Sequence, residues 1–72
     1  MRVDCTGLRC PAHVSRIERV MDEVEVGDVV EVVLDGDEAV EDIEAWCRVT
    51  GNAVLGRERR GDELRIYLER RV

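Results

Sequence analysis

A chain of 72 residues reads as one domain with a small core, too small to enclose a deep small-molecule pocket within a monomer. Its net charge of −6 argues against nucleic acid or an anionic membrane as the main partner, since both demand a cationic face. All 11 basic residues are Arg, which excludes Schiff-base and lysine-nucleophile chemistry. No apolar run reaches the roughly 20 residues that span a bilayer. The opening MRVDCTGLR has no apolar signal core, so the expected location is the cytoplasm. Three cysteines, an odd number, make no disulfide framework. In a reducing compartment they are free thiols, and the question becomes which of them reacts.

Residues 2–5 alternate in polarity and read as a short strand closed by Thr6-Gly7. Residues 11–24 carry Val14, Ile17, Val20, Met21 and Val24 three or four apart, which is one face of a helix. Pro11 suits the first helical position, where a missing N–H costs nothing, and the helix ends before Gly27. Residues 28–35 are Val-rich between Gly27 and Gly36 and read as a second strand. Asp37 is the expected N-cap of a second helix, EAVEDIEAWCRVTG. Its apolar face is Val40, Ile43, Trp46 and Cys47, its early acids suit the positive end of the dipole, and Gly51 is the natural stop. Residues 52–59 and 62–70 flank Arg60-Gly61 and read as an antiparallel hairpin. The order is therefore βαβαββ. Right-handed crossovers put both helices on one face, giving an α/β two-layer sandwich with a mixed four-stranded sheet in a single domain, residues 1–72.

Cys10 falls at the junction of strand, turn and helix. With Pro11 as the first helical residue, Cys10 becomes the N-cap, its sulfur beside unpaired backbone N–H groups at the positive end of the dipole. Such positions lower a thiol pKa from about 8.5 toward neutrality, and the thiolate is the nucleophile. Arg9 adds a fixed positive charge. His13, on the first turn, is the residue to donate to the thiolate or shuttle a proton. Gly7 lets the chain turn sharply, so that the loop presents the sulfur outward. The competing reading makes Cys10 a small buried hydrophobe and Pro11 a mere helix starter. The helix position, the neighbouring Arg and the absence of a rival site favour the reactive thiol.

These residues carry a resemblance. VDCTGLRCP is similar to the opening strand and D-x-x-G-L-x-C-P motif of the TusA/SirA family of small sulfur-carrier proteins. VGDVVEVVLDGDEAVEDIEAWCRVTGN resembles that family's second strand and helix, with the Gly-Asp turn, the Asp that closes the strand, and the Cys and Thr-Gly near the helix end. The resemblance implies that Cys10 accepts sulfane sulfur as a persulfide and passes it to a partner's cysteine, with Gly7, Leu8, Arg9 and Pro11 shaping the loop. It implies a donor of the rhodanese or cysteine-desulfurase type, or an inorganic sulfur compound, and a thiol protein as acceptor, with no cofactor and no metal. One residue departs from the pattern: the family usually has Cys-Pro-x-Pro, and here the second proline is replaced by His13. His13 either tunes the Cys10 thiol or is a solvent-facing residue of the first turn.

The other cysteines have their own readings. Cys5 is strand packing or a resolving thiol for Cys10, and Cys47, on the apolar helix face, is a buried cysteine. Cys5, Cys10 and His13 offer three ligands of a zinc site, but no fourth stands nearby. Arg57, Arg59 and Arg60 interleave with Glu58, Asp62 and Glu63, which favours a self-neutralised turn over an anion-steering patch. Tyr67, with Val29 or Val33, is a candidate contact surface on the uncovered sheet face. Two rival functions follow: a non-catalytic interaction domain of the same fold, and a Cys5/Cys10 thiol–disulfide redox protein.

Overall fold

In a computed structural model of the chain, residues 1–9 and 12–72 are described. The order is β1 (Arg2–Asp4), α1 (Ala12–Glu23), β2 (Val29–Leu34), α2 (Val40–Thr50), β3 (Ala53–Arg60) and β4 (Glu63–Glu69). The sheet runs β1-β2-β4-β3. β1 pairs with β2 in parallel, Val3 opposite Val32, because a helix lies between them in sequence. β4 then enters antiparallel between β2 and β3. The sequence-derived βαβαββ order and mixed sheet are thus observed.

Alternation decides what the sheet buries. Val30, Val32 and Leu34 of β2 stand opposite Leu68, Ile66 and Leu64 of β4, so all six share one face. Ile17 and Met21 of α1 and Ile43 and Cys47 of α2 pack onto that face in one continuous core. The other face takes the intervening residues and is polar. Arg65 bridges Glu31 at 3.0 Å and Glu63 at 3.4 Å, and the Tyr67 hydroxyl reaches Glu58 at 3.5 Å. Val33, on that same face, is only 3% exposed. Val29, also on that face, is exposed, so the contact surface expected around Tyr67 with Val29 or Val33 is one exposed valine set among ion pairs.

Both helices depart from the sequence reading at their first turns. On α1 the buried positions are His13, Ile17 and Met21, while Val14 is only half-buried. His13 thus takes the first inward position in place of Val14, while Ile17, Met21 and Val24 are buried as the spacing predicts. On α2 the helix begins at Val40, and the N-cap is Ala39 with no side-chain cap bond. Asp37 is not the cap. Its carboxylate is drawn off to Arg59, which sits opposite Leu64 and so on the helix side of the sheet. Only the Asp37 carbonyl serves the helix, accepting the Val40 N–H at 3.2 Å. The other end is as expected: Gly51 takes a φ of 87°, the left-handed turn that glycine adopts without strain, and donates to the Cys47 carbonyl at 2.9 Å.

Candidate functional site

Two loops leave the C-terminal ends of the parallel pair, and that is where α/β folds usually hold ligands. The first follows β1 and is described over residues 5–9; the second, residues 35–39, follows β2. Because β1 and β2 are neighbours, the loops lie side by side. Between them is a cleft of about 320 Å3, lined by residues 7–9 and His13 on one side and by Asp35, Gly36 and Glu38 on the other. A larger open crevice of about 820 Å3 lies between α2 and β3, but its lining includes no cysteine or histidine.

The first loop is fastened at successive points. The Asp4 carboxylate accepts the Thr6 N–H at 2.9 Å and the Thr6 hydroxyl at 2.6 Å, an Asx-type turn that stops β1. Those bonds, the hydroxyl first and the backbone second, hold the Asp4 carboxyl below its ordinary value, with Arg2 and Arg16 adding to the effect. Gly7 turns the chain with a φ of 77° and gives its N–H to the Asp35 carboxylate at 2.7 Å, which ties the two loops together. Leu8 packs its side chain on the core and bonds its N–H to the Cys5 carbonyl at 3.3 Å. The Arg9 carbonyl accepts the Ala12 N–H at 2.7 Å, so the ends of the segment carrying Cys10 and Pro11 are held together. Cys10 and Pro11 lie outside the described residues, and with them the expected N-cap thiol and the first helical position.

Gly7, Leu8, Arg9 and His13 all line one cleft. Arg9 is exposed. His13 is not the solvent-facing residue of the alternative reading: it is 7% exposed, and its Nδ1 has no hydrogen-bond partner among the described residues. A buried polar atom without a partner costs about 1–3 kcal/mol, so its place at the cleft is a feature to be explained. Asp35 entered the sequence reading only as the acid that closes the second strand, and Glu38 only as an early acid of the second helix; neither was placed at the site. Their signal was the parallel pairing itself, which brings the residue after β2 opposite the loop after β1.

The remaining thiols are set apart. Cys5 and Cys47 are 0% and 1% exposed. Burial raises the Cys5 thiol pKa, and burial together with Glu44 pushes Cys47 up to about 11. Cys5 extends the ladder beyond β1, donating its N–H to the Val33 carbonyl at 2.8 Å, which fits strand packing. No group of three His, Cys, Asp or Glu able to hold a metal occurs among the described residues; a set that includes Cys10 lies outside them. No helix among them is long and apolar enough to cross a membrane.

The family model described as sulfurtransferase TusA matches residues 1–70. YrkF and YrkI of Bacillus subtilis (strain 168) each bear the name of a proposed sulfur carrier protein. YrkF is 32% identical over 68 residues, covering 94% of this chain but only 37% of its own length. YrkI is 31% identical over 68 residues, covering 94% of this chain and 91% of itself. The sulfur carrier protein TusA of Allochromatium vinosum is 24% identical and matches 94% of this chain and 90% of its own. The crystal structure of a SirA-like protein from Desulfitobacterium hafniense superposes with a TM-score of 0.78 over 99% of this chain and 97% of that one. At 23% identity it shows a shared fold. With the Gly-Leu-x-Cys-Pro motif at residues 7–11 and a family match over nearly its whole length, the chain belongs to the TusA/SirA family of sulfur carriers.

Proposed function

We propose that the chain carries sulfane sulfur as a persulfide on Cys10 and hands it to a thiol of a partner protein. The observation that carries this reading is the division among the three cysteines. Cys5 and Cys47 are buried with raised thiol pKa values, which leaves thiolate chemistry at neutral pH to Cys10. In sequence Cys10 stands two residues before α1 and next to Arg9, both of which favour an anionic sulfur. The Cys10 thiolate attacks the outer sulfur of a donor persulfide. The donor S–S bond breaks, a new S–S bond forms, and the donor thiolate leaves. In the return step the partner's thiolate attacks the outer sulfur of the Cys10 persulfide, and the Cys10 thiolate leaves. No net oxidation occurs. The donor is a rhodanese-type or cysteine-desulfurase-type protein and the acceptor a second thiol protein. The free thiols suit the cytoplasm, where they are kept reduced.

Intact-mass spectrometry after incubation with glutathione persulfide tests the reading. The wild type should gain one sulfur, lose it to reductant, and fail to gain it as Cys10→Ser. No adduct on the wild type would favour a non-catalytic binding domain. A loss of two hydrogens under mild oxidant, abolished by Cys5→Ala, would favour the redox protein, against which the burial of Cys5 stands.

A further inference from the structure

His13 is the first of the three inward positions of α1, yet it lines the cleft rather than completing an apolar core. It is 93% removed from solvent, the complement of 7% exposure, and its Nδ1 has no partner among the described residues. Native proteins rarely leave such an atom unsatisfied without a purpose. The wall facing it offers no obvious mate. Asp35 already spends one carboxylate oxygen on Gly7 N–H, and Glu38 is exposed. Both are acidic, so an anionic sulfur entering the cleft is repelled from that side and needs a donor on the other. The motif cysteine stands three residues before His13 in sequence, and the Ala12 N–H donates to the Arg9 carbonyl at the head of the same helix.

We propose that Nδ1–H of His13 hydrogen-bonds the sulfur carried on Cys10, so that this histidine and the cleft between the two loops hold the persulfide selectively over the free thiolate. The inference rests on the persulfide reading of Cys10 and adds to it the group that receives the cargo. The bonding is present in the loaded protein and absent in the unloaded one. It therefore acts on the exchange equilibrium, Cys10 thiolate plus glutathione persulfide giving Cys10 persulfide plus glutathione thiolate. One S–S bond breaks and one forms, and the charge is the same on both sides. A bound water would also satisfy Nδ1, but it would leave that equilibrium unchanged.

The test is the exchange constant, read from the loaded fraction by intact mass at fixed ratios of glutathione persulfide to glutathione. Thermal melts of each variant, followed by circular dichroism, establish that it is folded at the assay temperature. His13→Ala should lower the constant about 10- to 100-fold, the scale of a hydrogen bond to a charged group. His13→Asn places an amide where Nδ1 stands and should restore most of it. His13→Gln places its amide at the Nε2 position and should not. A His13→Ala constant within about twofold of wild type overturns the inference. So does rescue by Gln equal to that by Asn, or by neither, since each removes Nδ1 as the acting atom. A wild type that takes no sulfur overturns the persulfide reading and this inference with it. Even loading across the series overturns the inference alone.

Discussion

Gly7 offers the sharpest test of how the loop is built. Its φ is 77°, and a Cβ added there would meet no heavy atom within 4 Å. Space is therefore not the constraint; handedness is. An L-residue in the left-handed region carries a penalty of about 1–2 kcal/mol, whereas a d-residue carries none. Replacing glycine also stiffens the unfolded chain, which stabilises by about 0.4–1 kcal/mol when the native conformation is compatible. Comparing the two enantiomers of alanine at position 7 cancels that second contribution, because mirror-image residues restrict the unfolded chain almost equally. The difference isolates the handedness: about 1–2 kcal/mol in favour of d-alanine. For a domain of this size that is a gap of roughly 5–15 °C in melting temperature. Chemical ligation gives both proteins, and thermal melts by circular dichroism measure the gap. Gly7→Ala melting within about 2 °C of the d-alanine protein would refute the reasoning. The loop would then relax freely, and the Gly7–Asp35 bond would not depend on a positive φ.

Ile66 is wholly buried at the sheet centre. Ile66→Ala should lose about 2–5 kcal/mol in urea unfolding, where a chain of this length holds only about 4–11 in all. Cys47 is a thiol whose folded pKa lies above its ordinary 9.0, at about 11. Its contribution to stability is complete below pH 9 and is lost as pH climbs toward 11, so urea midpoints should fall over that window, less steeply in Cys47→Ala. Asp4 is shifted the other way, so its linkage runs toward acid: the contribution is present above its ordinary 3.8 and is lost as pH falls through the lower folded value. Carboxyl titration by NMR should find Asp4 below 3.8 in the wild type and nearer that value in Thr6→Val, which lacks the hydroxyl donor.

Most of the fold was legible because each element obeys one period. Leu64, Ile66 and Leu68 alternate, and Ile17, Met21 and Val24 recur at helical spacing, so strand and helix were distinguishable by pattern alone. The failures share a cause. His13 has the spacing of a core residue but the chemistry of a surface one, and periodicity counted by apolarity passes over it. Asp37 has the chemistry of an N-cap, but Arg59, 22 residues later in the sequence, competes for its carboxylate. Local preference yields where a tertiary charge lies within reach. Asp35 was visible as the acid that closes β2, but its bond to Gly7 spans 28 positions and follows only once β1 and β2 are known to be parallel neighbours.

The placement of the site explains the number of fastenings. β1 is three residues long and lies at the sheet edge, paired on one side only. A strand this short is the kind of element that opens locally while the rest stays folded, and the loop of residues 5–9 hangs from its end. Sulfur transfer between proteins needs a group that a partner can reach, which favours an edge. It also needs the group to sit in one geometry, which an edge strand alone does not supply. The added bonds meet that second need without burying the loop. Arg16 of α1 donates to the Asp4 carbonyl at 2.9 Å, Thr6 folds onto Asp4, and Asp35 holds Gly7. The first ties the end of β1 to α1, and the other two tie the loop to β1 and to the loop after β2. Freeing the loop and the strand end that carries it therefore requires breaking contacts to α1, to β1 and to the loop after β2.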